Sequence, residues 1–598
     1  MLKVITLVCA LLGLLIGVCL EAWVRKKITA SDASNEAALR IRDRSRKFWA
    51  TQYLPVIIAD AVITVAVGMG IRWICAAVYL IGAGVSFISV VFGSASFRSG
   101  NTAAVSQAEI KDLKSALKAG YRSAAVMGLT TSCLGLLALG SVYLLLEPET
   151  LPKVVGCIAL GASVTAVFLR ISGMVYSGAS NLAAKGGEFA DYSGAFAGNG
   201  ADHIETYLLS AAAAAVLAEV GVNTSGVTST FTLSSASKFP LIIYAVGIIA
   251  SVIGTMFYRA NIKKNPGRGT TWGNFVSALI IGGATAYLSK EMLQSYVYAW
   301  CVGSGLLAGF ITGEFDKLYS SDSLVFRRIS ASERNIRNGQ SVIASLAAGM
   351  ISALIPVVLM FAAVVASYNF ASYYGIALSA VGMGAASCIN STVKGFAINS
   401  RSISEVIDVS VEDDMSTFSD IMYTTAVRAD AAGKTYSAVS AMLASVAMLT
   451  AYIYSAGMQA VNLLNMAVLA GSALGVVMVF TFTGLIISST AVTTRVIRER
   501  SDYSEEDGAS NSLRGAIIPS VAAILVPAFI GCVGGINALA GFLTSFSITG
   551  TILVFVINNS GKYYESNAAE TLTTVIKLAL AISIAFMPVF TQLNGFLF

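Results

Sequence analysis

Charge is scarce in this chain. Only 12% of its 598 residues are Asp, Glu, Lys or Arg, against about 25% in soluble globular domains. It has a single histidine, His203, which leaves no His-rich metal motif to build on. Its eight cysteines, Cys9, Cys19, Cys75, Cys133, Cys157, Cys301, Cys388 and Cys532, include no Cys-x-x-Cys pair, and all lie in apolar segments. They read as small buried hydrophobes, with neither a disulfide framework nor a zinc site implied. Long polar stretches are missing too, so no soluble domain is visible. A chain that is 56% hydrophobic would have too little polar surface to face water.

What is present is a succession of apolar runs, many of the roughly 20 residues that span a hydrocarbon core. Their periodicity predicts an all-α polytopic membrane protein of about sixteen transmembrane helices, forming one domain over residues 1–598. The expected ranges are 2–24, 49–70, 72–100, 117–147, 152–185, 195–221, 236–258, 270–290, 295–318, 340–366, 370–402, 418–454, 461–500, 512–530, 534–562 and 566–597. The opening run, residues 1–23, has no small-residue cleavage site where a signal peptide needs one, and it reads as the first span. Bases concentrate in the odd loops, with Arg25, Lys26, Lys27 and Arg40 to Lys47 in the first, Arg259 to Arg268 in the seventh, Arg327 to Arg337 in the ninth, and Arg495 to Arg514 in the thirteenth. By the positive-inside rule the odd loops are cytoplasmic, so both termini are expected on the non-cytoplasmic side. The same placement accounts for the net charge of +6; the expected partner is a lipid bilayer and not nucleic acid.

Several segments carry a resemblance. They are "LKSALKAGYRSAAVMGLTTSCLGLLALG", "FPLIIYAVGIIASVIGTMF", "GLLAGFITGEFDKLYSSD", "SYYGIALSAVGMGAAS", "GKTYSAVSAML" and "NALAGFLTSFSITGTILVFVINNSGKYYE". In order and spacing they resemble the ion-translocating membrane pyrophosphatases. The resemblance implies a homodimer of sixteen-helix subunits, with the helices in two concentric rings. The fifth, sixth, eleventh, twelfth, fifteenth and sixteenth would be innermost. It also implies pyrophosphate hydrolysis coupled to export of protons or sodium.

The family's hydrolytic apparatus is acidic, because pyrophosphate is hydrolysed with Mg²⁺, which takes oxygen ligands. Here the matching segments are depleted. "SGMVYSGASNLAAKGG" puts Gly178 at the family's lysine, and Asn181 and Lys185 at aspartates; of the Asp-rich repeat only Glu188 and Asp191 remain nearby. "INSRS" puts Ile398 at an aspartate and Arg401 at a glycine, and Tyr564 takes a third aspartate position. Asn399, Glu405 and Lys434 remain as substrate-region matches. The expectation is a non-hydrolytic homologue with no catalytic residues and no metal site, acting as a scaffold, partner subunit or regulated ion pathway. The alternatives are a working pyrophosphate-energised proton or sodium pump, with Mg²⁺ as its cofactor, and a secondary ion transporter or channel. Another membrane or cytoplasmic protein is a possible partner under the first reading.

The resemblance implies an intact ion gate. "GADHIETYLL" carries Asp202 and Glu205, "TTVIKLALAI" carries Lys577, and "FLRISGMVY" carries Arg170 at the family's coupling funnel. Asp202 and Glu205, three residues apart, share a helix face. An unpaired charge in a bilayer costs about 2.5–3.5 kcal/mol or more, so Lys577 is expected to pair with one of the acids, as a gate or as a structural salt bridge. His203 reads as a ring against a neighbouring helix. Arg401, Lys394, Lys434, Arg428 and Lys562 are expected to make a basic mouth on the cytoplasmic side.

Overall fold

The computed structural model describes residues 2–28, 32–147, 150–184, 189–224, 232–258, 269–322, 346–410, 416–499, 505–560 and 568–593. Lys185, Glu188, Lys562, Tyr564 and the bases at 259–268 and 327–337 lie outside them. The described residues are helical, without a strand. In chain order the helices are α1 (Leu2–Arg25), α2 (Asp32–Gly70), α3 (Trp73–Glu109), α4 (Leu113–Leu145), α5 (Leu151–Ala183), α6 (Ser193–Thr224), α7 (Leu233–Met256) and α8 (Gly269–Leu293). They continue as α9 (Val297–Asp322), α10 (Leu354–Ala385), α11 (Ser387–Ser410), α12 (Ser416–Ser455), α13 (Met466–Glu499), α14 (Glu505–Asn558), α15 (Ala568–Ala585) and α16 (Met587–Leu593).

Local chemistry sets several helix starts. Asp112 caps α4 by accepting the Ser115 N–H at 3.1 Å, and Thr232 caps α7 in the same way. These bonds satisfy N–H groups that the first helical turn leaves free. Pro152 lies in the first turn of α5, where its missing N–H costs nothing.

Twelve described stretches are long and apolar enough to cross a membrane. Two of them, 346–385 and 508–558, are 40 and 51 residues long, about twice what a bilayer needs. Each is broken. In α10 the break is at Ala371 and Ser372, the latter at φ 53°; Gly375 then packs on the Ser367 carbonyl, folding the chain back. In α14 the break is Gly535, at φ 73°, a conformation glycine adopts without steric cost. Before it, Ser489 and Thr493 of α13 bond Gly515 and Asn511, so the two helices run in opposite directions. After it, Ser472 of α13 bonds the Gly541 carbonyl and Gly475 packs on Phe542, a parallel pairing. The chain has reversed at Gly535. With these two reversals, the second half of α10 and α11 taken as one pass, and α15 and α16 as another, the described residues hold sixteen segments in the expected order.

The segments form an inner and an outer set. Helices α5 and α15 are buried throughout their apolar windows, and α6, α12 and α4 nearly so. The outer helices expose apolar stripes at helical spacing, such as Leu11, Leu15 and Val18 on α1 at 57%, 59% and 61%, and Ile518, Leu525 and Phe529 on α14. Leucine and phenylalanine at that exposure belong against lipid. The burial of α4 departs from the six-helix inner set expected. Its stripe of Gly, Ala, Ser and Thr packs α4 against α3, α11 and α1, as small residues allow.

Candidate functional site

Helices α5 and α6 touch backbone to backbone. A Cβ on Gly194 would lie 2.8 Å from the Gly173 Cα, so nothing larger than hydrogen fits. This contact sets the distance between Arg170, one turn before it on α5, and Asp202, two turns after it on α6. The guanidinium Nη1 lies 2.6 Å from Asp202 Oδ2. Ser437 of α12 donates to the same oxygen at 2.7 Å.

Lys577 lies nine residues into the 18-residue α15. Its Nζ is 2.7 Å from Asp202 Oδ1, 2.8 Å from Glu205 Oε2 and 2.8 Å from Thr206 Oγ1. Lysine has three N–H donors; they go to Asp202 Oδ1, to Thr206 Oγ1 and, at 3.3 Å, to the Asp202 carbonyl, while Glu205 is held as an ion-pair contact. One helical face of α6 presents all three partners, because residues 202, 205 and 206 are spaced one turn apart. All four side chains are buried. His203, between the acids, is buried with Nε2 lacking a hydrogen-bond partner.

Two further charges join this group. Glu570 lies seven residues before Lys577, two turns along the same face of α15. Its Oε2 is 3.2 Å from Arg170 Nη2 and 2.8 Å from Lys394 Nζ of α11. Lys394 is therefore not part of a solvated basic mouth, as its position near polar residues suggested. It is buried at 1% exposure. Two of the other bases expected there are matched by acids, Lys434 with Asp430 at 2.7 Å and Arg401 with Glu405 at 3.7 Å. Taken together, Arg170, Lys394 and Lys577 balance Asp202, Glu205 and Glu570. Such balance is what permits six buried charges, since the desolvation of each is several kcal/mol.

The three substrate-region matches do not converge. Asn399 donates to the Gly120 carbonyl at 3.0 Å and to Ser123 Oγ at 2.8 Å, and accepts from Asn101, so it ties α11 to α3 and α4. Glu405 accepts from the Tyr192 hydroxyl at 2.6 Å and the Ala190 N–H at 3.1 Å. It thereby holds the segment between α5 and α6. Arg44 grips the same segment through the Phe189 carbonyl at 2.6 Å. Asp191 in this segment caps Ser193 at 2.8 Å, and burial pushes its carboxyl above the usual range. Lys434 stays with Asp430 on its own helix. Mg²⁺ is implied by the resemblance, but among the described residues no three His, Cys, Asp or Glu side chains form a group able to hold a metal ion. The described residues alone do not fit one.

Glu570 and Ser437 escaped the reading of the sequence. Glu570 could have been found: an acid two turns from a buried lysine, in an otherwise apolar helix, shares its face. Ser437 gave no signal, since serine recurs throughout these helices.

Compared with known proteins, the family model for inorganic H⁺ pyrophosphatase matches residues 11–185 and 188–572. A protein of Clostridium tetani named "Putative K(+)-stimulated pyrophosphate-energized sodium pump" is 25% identical over 685 residues, covering 99% of this chain and 98% of its own length. A Methanosarcina mazei protein named "K(+)-insensitive pyrophosphate-energized proton pump" is 24% identical over 621 residues, covering 92% of this chain and 89% of its own. A "K(+)-stimulated pyrophosphate-energized sodium pump" of Thermotoga maritima is 23% identical, over 92% and 90%. These relatives overturn the expectation of a non-hydrolytic scaffold, partner subunit or regulated ion pathway, since all are named as pyrophosphate-energised pumps. That expectation rested on matching acids position by position. Such matching gives no credit to acids at other positions, such as Asp430 on α12 and Glu570 on α15.

Proposed function

Since the chain belongs to the inorganic H⁺ pyrophosphatase family, we propose that it is a pyrophosphate-energised pump that moves sodium ions or protons across the membrane. The observation that carries this reading is the position of Lys577, clamped between Asp202 and Glu205 with Arg170 on the far oxygen of Asp202. A cation reaching this point must compete with an ammonium for the same carboxylate oxygens. Exchange of one positive charge for another keeps the cluster neutral, and passage then requires Lys577 to move aside. Glu205 is the acid that a passing cation can claim, because among the described residues one base is in ion-pair contact with it, whereas Asp202 is held by two. Asp202, Glu205 and Lys577 would form the gate, and Arg170 would report to it from the side of the hydrolytic site. Asn399, Glu405 and Lys434 would shape the substrate end.

In this reading the protein acts as a homodimer of single-domain subunits, with both termini on the non-cytoplasmic side and substrate entering from the cytoplasm. The test is reconstitution of the full chain into liposomes, with pyrophosphate and Mg²⁺ in excess outside. Phosphate release accompanied by sodium uptake, or by internal acidification, is the expected result. Absence of phosphate release with sodium and potassium both supplied would overturn the proposal.

A further inference from the structure

The pair formed by Lys394 and Glu570 has no role in the gate as described. It is also unnecessary for charge balance: without it, Arg170 and Lys577 still neutralise Asp202 and Glu205. Nor is it retained cheaply. Burying an ion pair costs desolvation that its attraction barely repays, and an apolar pair of similar volume is often as stable or more so. A buried pair that the balance of the gate does not need calls for another explanation, and its connections supply one.

A single oxygen, Glu570 Oε2, receives both Lys394 Nζ at 2.8 Å and Arg170 Nη2 at 3.2 Å. The other end of the Arg170 guanidinium holds Asp202 at 2.6 Å, and Asp202 in turn holds Lys577 at 2.7 Å. Signs therefore alternate without a gap from Lys394 through Glu570, Arg170, Asp202 and Lys577 to Glu205. The line crosses from α11 to α15, α5, α6, back to α15 and to α6. Arg170 divides its planar fork between two acids, so a change in its hold on one changes its hold on the other. If Lys394 is drawn off, Arg170 is the ion-pair partner that Glu570 keeps among the described residues, and Arg170 yields part of Asp202. Asp202 then tightens on Lys577. The reverse follows when Lys394 closes on Glu570. In a low-dielectric interior these exchanges are strong.

Resting on the proposed pump function, we infer that Glu570 and Lys394 are positioning residues that couple α11 to the ion gate, through Arg170. Helix α11 also carries Asn399, Arg401 and Glu405, so events at the substrate end reach Lys394 along one rigid element.

The experiment measures cations accumulated per phosphate released in proteoliposomes, for the full chain and for Glu570→Gln, Lys394→Met and the double variant. A ratio is independent of how much protein is active, and a purely structural pair would not move it. Each single variant is expected to lower the ratio by about threefold or more, and the double variant no further than the worse single. If Glu570→Gln or Lys394→Met fails to fold, Glu570→Asp, which shortens the carboxylate reach, is expected to lower the ratio, while Lys394→Arg keeps most of it. An unchanged ratio in folded Glu570 and Lys394 variants would overturn the coupling role while leaving the pump reading intact. A wild-type protein that releases no phosphate would remove both.

Discussion

Arg170 and Lys577 hold opposite oxygens of one carboxylate: Nη1 of the arginine is 2.6 Å from Asp202 Oδ2, and Nζ of the lysine is 2.7 Å from Oδ1. Asp202 is thus saturated from both sides, with Ser437 as a further donor. Among the described residues, Lys577 is the base in ion-pair contact with Glu205. This asymmetry orders the consequences of mutation.

Replacing Lys577 with Met leaves Glu205 as a buried acid without its base. Breaking one partner from a buried pair costs about 3–5 kcal/mol, so melting of the detergent-solubilised protein should fall well below wild type. Adding Glu205→Leu should recover much of that loss, because Asp202 keeps Arg170. Both variants should fail to accumulate cations. A double variant no more stable than Lys577→Met would show that Glu205 is not the group left exposed.

Gly194→Ala should push α5 from α6, since the new methyl would meet the Gly173 backbone at 2.8 Å. Overpacking of this kind costs about 1–3 kcal/mol. The displacement falls between Arg170 and Asp202, so transport should drop together with stability. Wild-type transport in a protein of unchanged melting temperature would contradict the close approach.

Asn399→Leu removes an amide that serves Gly120, Ser123 and Asn101. Gly120 and Ser123 keep each other and Asn101 keeps the Phe97 carbonyl, so the cost is that of the lost hydrogen bonds, about 0.5–1.5 kcal/mol each. Loss of stability is therefore expected, with the number of cations moved per phosphate unchanged. A changed ratio would place Asn399 in the coupling path after all.

Asp191 gives a pH signature. Burial raises its carboxyl pKa in the folded chain above the ordinary value, which is about 3.9 in water. The folded state then binds more protons than the unfolded one between those two values, so this group's contribution to stability declines as pH rises through that window. Asp191→Asn retains an oxygen for the Ser193 N–H and has no charge to bury. Melting temperature against pH should be flatter for the variant through the window, with a gain at its upper end. Parallel curves would show that Asp191 does not titrate abnormally.

The helices were readable because lipid imposes one rule on every span, that twenty or so residues be apolar, and both reversals fell where glycine or polar residues interrupt long runs. The reversal at 371–372 was anticipated by the break between 366 and 370, and that at Gly535 by the break between 530 and 534. The burial of α4 was not anticipated, although its run of Gly, Ala, Ser and Thr has the composition of a packed helix. Within the site, Asp202, Glu205, Arg170 and Lys577 stood out because their segments resemble the family's gate and funnel motifs. Lys394 was visible as a base but assigned to a solvated mouth. Its depth depends on which way α11 turns its faces, and a mixed sequence of serine, asparagine and lysine does not reveal that.

The contact between Lys577 and Asp202 joins residues 375 positions apart, and that separation bears on how the protein is made. Chains enter the membrane from the N-terminus as they are synthesised. Helix α6 therefore emerges with two acids and a histidine long before its basic partner exists, and α5 emerges with Arg170 just ahead of it. Each acid at the centre of a span opposes insertion by about 2.5–3.5 kcal/mol. Arg170 can shelter Asp202 early, but Glu205 must wait for α15. During most of synthesis α6 is accordingly an unwilling transmembrane segment, held by its neighbours or by the insertion machinery, and its final depth is fixed only when the last apolar helices arrive.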